Sequence, residues 1–333
     1  MSGAGDVVAR IVTRLMAIAA AAFLASVPMT SVATARDAVI EGRSNWLFAG
    51  WESLSVARPD AERASIKLIA EVGQLLAQSN IKLIVAIVPL KVRYYENLLP
   101  DGSKLSDMVR KRYDRELTEL RAGGVEAPDL RDALSSVIKD KKEVFYRTDF
   151  HWTTFAAEAS ADLVAAVITA DGPLPGKPGS GAQLGEWVND RHLGDLAANF
   201  LPPDRKRAIG PEAYVIRGPT KPSAGLLDED PAPVAVVGNS FVQPYFGFPQ
   251  RLSNKIDRPV ALKWNPGDVG PWATFLQYLQ SAEFRASPIK YLVWQFNEAQ
   301  IQNGPDAVGE WASQSISSPS EWRMKVSDAL KNR

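Results

Sequence analysis

The chain has 333 residues, of which 46% are hydrophobic and 23% charged. That composition belongs to a folded protein and excludes wholesale disorder, a multi-span membrane protein and a disulfide mini-protein. Lys plus Arg (38) balances Asp plus Glu (38), so the basic field that nucleic-acid binding requires is missing and no nucleic-acid partner is expected. With no cysteine and only His151 and His192 as histidines, thiol chemistry and iron–sulfur clusters are excluded, and no metal or cofactor is expected.

In chain order, Arg10 and Arg14 precede an apolar run, Leu15 to Val27, and Ala33-Thr34-Ala35 follows as a small-x-small cleavage site. This pattern predicts a secretory signal over 1–35, cleaved after Ala35, with an uncleaved signal anchor as the alternative. An exported chain without cysteine suits a bacterial periplasm. From Arg36 onward helix-like and strand-like segments alternate, which predicts one α/β domain over 36–333. Asp60–Asn80 carries apolar residues at helical spacing and runs into the β-branched stretch Lys82–Pro89, a strand buried on both faces. Leu105, Val109, Tyr113, Leu117 and Leu120 form a helical stripe that Gly123-Gly124 ends, before a short segment Val125–Leu130. The Ala-rich run to Ala170 is a helix with Thr153 or Thr154 as N-cap. Residues 171–233, rich in Gly and Pro, are expected to be a loop-rich insertion holding one small strand near Ala213–Arg217. The alternation then resumes: strand Pro233–Val237, strand Pro259–Trp264, helix Trp272–Phe284, strand Ile289–Phe296 and a terminal helix from Ser320.

Two short stretches carry the chemistry. Val234–Phe241 is a buried strand running into Gly238-Asn239-Ser240, which sets a hydroxyl at the carboxyl end of a strand, where open α/β sheets bind ligands. Gly238 would permit a sharp turn there, and Ser240 is either a nucleophile near free N–H groups or the cap of the following helix. In Arg147–Thr153, Asp149 and His151 are two apart, so an extended backbone puts both on one side. They form either an orienter–base pair or a hydrogen bond at a helix entry with Trp152 packed in the core. Together the two stretches supply the Ser, His and Asp that acyl transfer needs. His192 competes as the base but falls in the insertion, where a structural role in a loop is expected. Trp187, Trp264 and Trp272 are candidate sugar-stacking platforms, core being the alternative, and Arg205-Lys206-Arg207 reads as a solvated charge run.

These residues resemble the SGNH-hydrolase-like periplasmic domains of the alginate O-acetyltransferases, the AlgX/AlgJ type, over roughly Gly42 to Gln300. Gly42…Trp46-Leu47-Phe48, Pro89-Leu90-Lys91, Asp149-Phe150-His151-Trp152 and Gly238-Asn239-Ser240-Phe241 occur in that order, with the Asp-x-His ahead of the serine, the reverse of ordinary SGNH esterases. The resemblance implies a three-layer α/β/α fold with a mostly parallel sheet and circularly permuted motif order. It implies Ser240 as acylated nucleophile, His151 as base and acid, and Asp149 as orienter. It further implies acetyl transfer to hydroxyls of a secreted polysaccharide, with a membrane-bound O-acyltransferase as acetyl supplier. Asn239, where the family commonly has Asp, together with Tyr245, Lys91 and Trp152, are the candidates for substrate or oxyanion contacts. The late strand lacks the family's Glu-Arg ending, reading Asn297-Glu298-Ala299-Gln300 instead. Rival readings are an acetyl esterase using the same triad and a non-catalytic scaffold of a polysaccharide assembly complex.

Overall fold

The computed structural model describes residues 38–220 and 231–333; the expected signal segment lies outside them. Among the described residues eight strands occur in chain order: β1 (Val39–Glu41), β2 (Leu47–Ala49), β3 (Lys82–Val88), β4 (Trp187–His192), β5 (Glu212–Arg217), β6 (Val234–Gly238), β7 (Val260–Trp264) and β8 (Tyr291–Asn297). Four of them make the central sheet in the order β3-β8-β6-β7, every pairing parallel.

Strand periodicity explains the layers. Successive side chains of a strand point to opposite faces, and the central strands are apolar at nearly every position. Ile84, Ala86 and Val88 of β3, with Val234 and Val236 of β6 and Val293 of β8, pack on one face. The helices Leu130–Lys139, Thr154–Ala170 and Phe248–Ile256 cover that face. Leu83, Val85 and Ile87, with Ala235, Val237, Leu292 and Trp294, pack on the other. There the helices Pro59–Gln78, Arg112–Ala122, Gly270–Leu279 and Pro319–Lys331 close the core. The result is the expected three-layer α/β/α sandwich. Thr153 caps the helix Thr154–Ala170, its hydroxyl accepting from the Ala156 N–H at 3.3 Å.

Three expectations about elements change. Val125–Leu130 leads into an amphipathic helix capped by Asp129. The stripe starting at Leu105 breaks at Lys111 into two helices, Asp107–Arg110 and Arg112–Ala122. Between 171 and 220 the chain is more ordered than a loop insertion: β4 and β5 form a six-residue antiparallel ladder, and the helices Asp195–Phe200 and Pro203–Ile209 lie between them. The carboxyl ends of β6, β8 and β3 lie side by side, so the residues just beyond them, Ser240, Glu298 to Gln300, and Leu90-Lys91, gather at one edge of the sheet.

Candidate active site

Ser240 is half-buried and opens the 3-10 turn Ser240–Val242 just past β6. A second such turn, Pro244–Phe246, precedes the helix, so the serine does not sit at the start of a long helix as expected. Gly238 is needed for close approach rather than for a left-handed turn. A Cβ there would lie 2.6 Å from Gln295 Oε1, and its φ is not positive. That intimacy lets Gln295 Oε1 accept from the Asn239 N–H at 3.0 Å and fix the turn that presents Ser240.

The segment containing Asp149 and His151 is a bend closed by the bridge between Phe145 and Trp152, rather than the extended stretch expected, and the His151 N–H bonded to Asp149 Oδ1 puts the two side chains together. His151 is 1% exposed. Its Nε2 lies 2.7 Å from Ser240 Oγ and its Nδ1 2.7 Å from Asp149 Oδ1. An ionised carboxylate only accepts, so Nδ1 carries the ring proton and Nε2 offers its lone pair to the serine hydroxyl. Asp149 is saturated with donors. Oδ1 also accepts from the His151 N–H at 2.9 Å, while Oδ2 accepts from the Tyr214 hydroxyl at 2.9 Å and the Asp195 N–H at 3.2 Å. Burial works against its charge, but His151 and these donors outweigh burial and hold the carboxyl well below its ordinary 3.8. Burial and the neighbouring Asp149 push the Tyr214 hydroxyl far up, so it remains a donor. The rings of Phe150, Phe241 and Phe246, at 4.0, 4.8 and 4.8 Å between centroids, wall the imidazole in.

The supports of Asp149 come from parts of the chain that local spacing does not connect. Tyr214 is on β5, and Asp195 starts the helix Asp195–Phe200. Gly194 lets that helix dock, since a Cβ there would lie 2.5 Å from the Thr148 carbonyl. Glu212 accepts from the Arg147 and Thr148 N–H groups at 2.9 and 2.7 Å. The Asp195 carboxylate is half-exposed and 3.6 Å from His151 Nδ1, and burial, then Asp149, raise its pKa.

Of the four further candidates, three are occupied elsewhere. Lys91 is 1% exposed and neither rims the site nor meets solvent. Its ammonium donates to the carbonyls of Leu47, Tyr146, Asp149 and Arg147 at 2.6, 2.7, 2.8 and 2.9 Å, pinning the segment that carries Asp149 and His151. Burial brings its pKa down to about 7 against the pull of Asp149, Glu212 and Glu52. Trp152 is fully buried, with Nε1 donating to the Phe241 carbonyl at 2.9 Å; it braces the serine turn and is closed off from solvent. Asn239 Oδ1 caps the turn by accepting from the Phe241 N–H, and its Nδ2 donates to Asn297 and Gln300, leaving no donor for an oxyanion. Tyr245 is half-buried beside the site, donating to Asp190 at 2.9 Å.

His192 ends β4 rather than lying in a loop, stacks on Tyr214 at 3.8 Å and meets the Tyr245 hydroxyl at 3.0 Å, not Ser240. Trp272 is core, its Nε1 bonded to the Asn303 carbonyl. Trp264 packs against the core, and Trp187 has Arg217 over its ring at 3.7 Å. Asp149, His151 and Asp195 gather ligand atoms within 4.8 Å of one another. Because Asp149 is already saturated and holds His151 Nδ1, the donor set is that of a hydrogen-bonded cluster rather than a cation cage. The missing Glu-Arg pair has a counterpart in space. Glu298, after β8, accepts from Arg93 at 2.6 and 2.7 Å and from Arg112 at 3.1 Å.

Comparison with known proteins places the fold in a family. Residues 39–298 match the family described as SGNH hydrolase-like domain, acetyltransferase AlgX. A relative from Pseudomonas syringae pv. tomato, named probable alginate O-acetylase AlgJ, is 31% identical over 279 residues, 80% of this chain and 70% of the relative. The solved O-acetyltransferase domain of Pseudomonas putida AlgJ superposes with a TM-score of 0.70 at 28% identity, over 87% of this chain and 99% of that one. Pseudomonas aeruginosa AlgX shares the fold, with a TM-score of 0.59 at 18% identity over 88% of this chain and 67% of that one.

Proposed function

The chain belongs to the SGNH hydrolase-like family of AlgX-type acetyltransferase domains, and we propose that it moves acetyl groups onto hydroxyls of an exopolysaccharide through an acyl-serine on Ser240. The observation that carries this reading is the unbroken hydrogen-bonded line from Ser240 Oγ through His151 to Asp149. It stands in a chain whose relatives are named for alginate O-acetylation.

In the first half-reaction the Ser240 hydroxyl gives its proton to His151 Nε2 as Oγ attacks the acetyl carbonyl of the donor. Asp149 keeps the ring turned and stabilises the imidazolium. The tetrahedral oxyanion is met by the Ser240 N–H, which as the first of its turn has no acceptor within that turn. Collapse breaks the bond to the donor's leaving group, which takes the proton from His151 and departs. In the second half-reaction a sugar hydroxyl gives its proton to the freed Nε2 and attacks the acyl-serine. Collapse forms the sugar ester and returns the proton to Ser240. The donor is a membrane-bound O-acyltransferase, the compartment the periplasm, and the acceptor a secreted polysaccharide such as alginate.

Ser240→Ala and His151→Ala are expected to remove turnover of a small acetyl ester while thermal unfolding stays as in the wild type. Near-normal turnover in either variant would falsify the assignment.

A further inference from the structure

Large aromatic rings left in solvent are uncommon in a chain that buries most of its own, and two of the largest lie together. Trp51 is 43% exposed and Phe200 46% exposed, with ring centroids 5.6 Å apart. Trp51 also meets Phe150 edge-on at 5.5 Å, and Phe150 lies 4.0 Å from the His151 ring. The shelf is assembled from three separate parts of the chain: the 3-10 turn Gly50–Glu52, the segment between Asp149 and His151, and the end of the helix Asp195–Phe200. Each is anchored from below, since Leu47, Ala49, Leu196, Ala197 and Leu201 form a small core under it.

We propose that Trp51, Phe150 and Phe200 form an acceptor subsite that stacks the apolar face of a pyranose unit and so presents the glycan's hydroxyl to His151. This rests on the acetyl-transfer reading above. The neighbouring chemistry selects a sugar over a lipid or an apolar peptide. Asp195, at the start of the helix that ends in Phe200, holds a half-exposed carboxylate 3.6 Å from His151 Nδ1. An apolar occupant would bury that charge without a partner, whereas a pyranose offers C–H groups to the rings and hydroxyl donors to the carboxylate. The subsite also answers how one domain grips a polymer, because it sets the ring-binding surface against the base itself.

The test has two arms. In the first, acetyl-Ser240 is formed from an activated acetyl ester, and its discharge by a mannuronate hexasaccharide is compared with its discharge into buffer. The ratio of the two rates is expected to fall about tenfold in Trp51→Ala and further in Trp51→Ala/Phe200→Ala, with Trp51→Phe keeping most of it. The second arm titrates the same hexasaccharide calorimetrically into Ser240→Ala protein, with and without Trp51→Ala, and needs no chemistry. Weaker binding on loss of Trp51 is expected there. An unchanged ratio in the double variant, or binding that is absent or indifferent to Trp51, overturns the subsite. A wild type that forms no adduct yet loses hexasaccharide binding with Trp51→Ala overturns the acetyl-transfer reading and leaves the subsite standing.

Discussion

At the scale of single residues, Asp149 carries the sharpest consequences. In the proposed mechanism it orients the base without transferring a proton. Asp149→Asn is therefore expected to lower ester turnover on the order of 10⁴-fold, roughly two decades less than loss of Ser240 or His151. Undiminished turnover would remove Asp149 from the mechanism. Its carboxyl titrates below 3.8 in the folded chain, so the unfolded chain binds more protons as pH falls below about 4. The stability that Asp149 supplies is thus complete above that pH and is lost on further acidification. Denaturant midpoints from pH 5 to pH 2 should fall more steeply for the wild type than for Asp149→Asn, and parallel curves would contradict the donor cage around this carboxylate. The meeting of Ser240, His151 and Asp149 was legible in the sequence because a chain with two histidines and no cysteine offers few other partners for a strand-end serine. The cage was not, since Asp195 and Tyr214 reach Asp149 from 46 and 65 residues away.

At the scale of elements, the segment Tyr146–His151 is held in place by a buried ammonium rather than by a ladder. Lys91→Met would leave the four carbonyls around Nζ without that donor. It is expected to destabilise the fold by about 3 kcal/mol or more and to depress turnover even where the variant is folded. A wild-type unfolding midpoint would show that Lys91 is dispensable. The turn Gly50–Glu52 sits on the same ionic floor. Burial and Glu298, opposed by Lys91 and Arg112, push the Glu52 carboxyl up from 4.5 to about 7. The folded chain thus retains a proton that the unfolded chain has lost between those values, and the stability it brings is full below 4.5 and gone above about 7. Glu52→Gln, which mimics the neutral form, should be more stable than the wild type at pH 8 by up to about 3 kcal/mol and equal to it at pH 4. A difference independent of pH would count against that linkage. The same scale shows where sequence patterns run out. β4 is exposed at five of its six positions, so it lacks the alternation that marks a half-buried strand, and its ordering depends on β5. The helices Asp195–Phe200 and Pro203–Ile209 are six and seven residues long, too short for a 3.6-residue period to register.

At the scale of the whole molecule, the parallel order β3-β8-β6-β7 explains how a permuted motif order still builds one site. Lys91, just past β3, holds the carbonyls of Tyr146, Arg147 and Asp149 at the edge where β6 presents Ser240, so it is immaterial to the geometry that Asp149 and His151 precede Ser240. The strands were easy to place because those buried on both faces read as continuous apolar runs. Which face each covers, and what closes over the site from 187–217, emerges only when the layers pack. In the proposed function this edge holds an acyl-serine protected from water long enough to be taken by a sugar. Intact-mass measurement of wild type and Ser240→Ala after exposure to an activated acetyl ester, followed by addition of an alginate oligosaccharide, tests it most directly. The expected result is one acetyl adduct on the wild type, none on the variant, and discharge faster with the oligosaccharide than in buffer. Equal discharge into water would make the protein an esterase, and no adduct together with no ester turnover would contradict acyl-serine catalysis altogether.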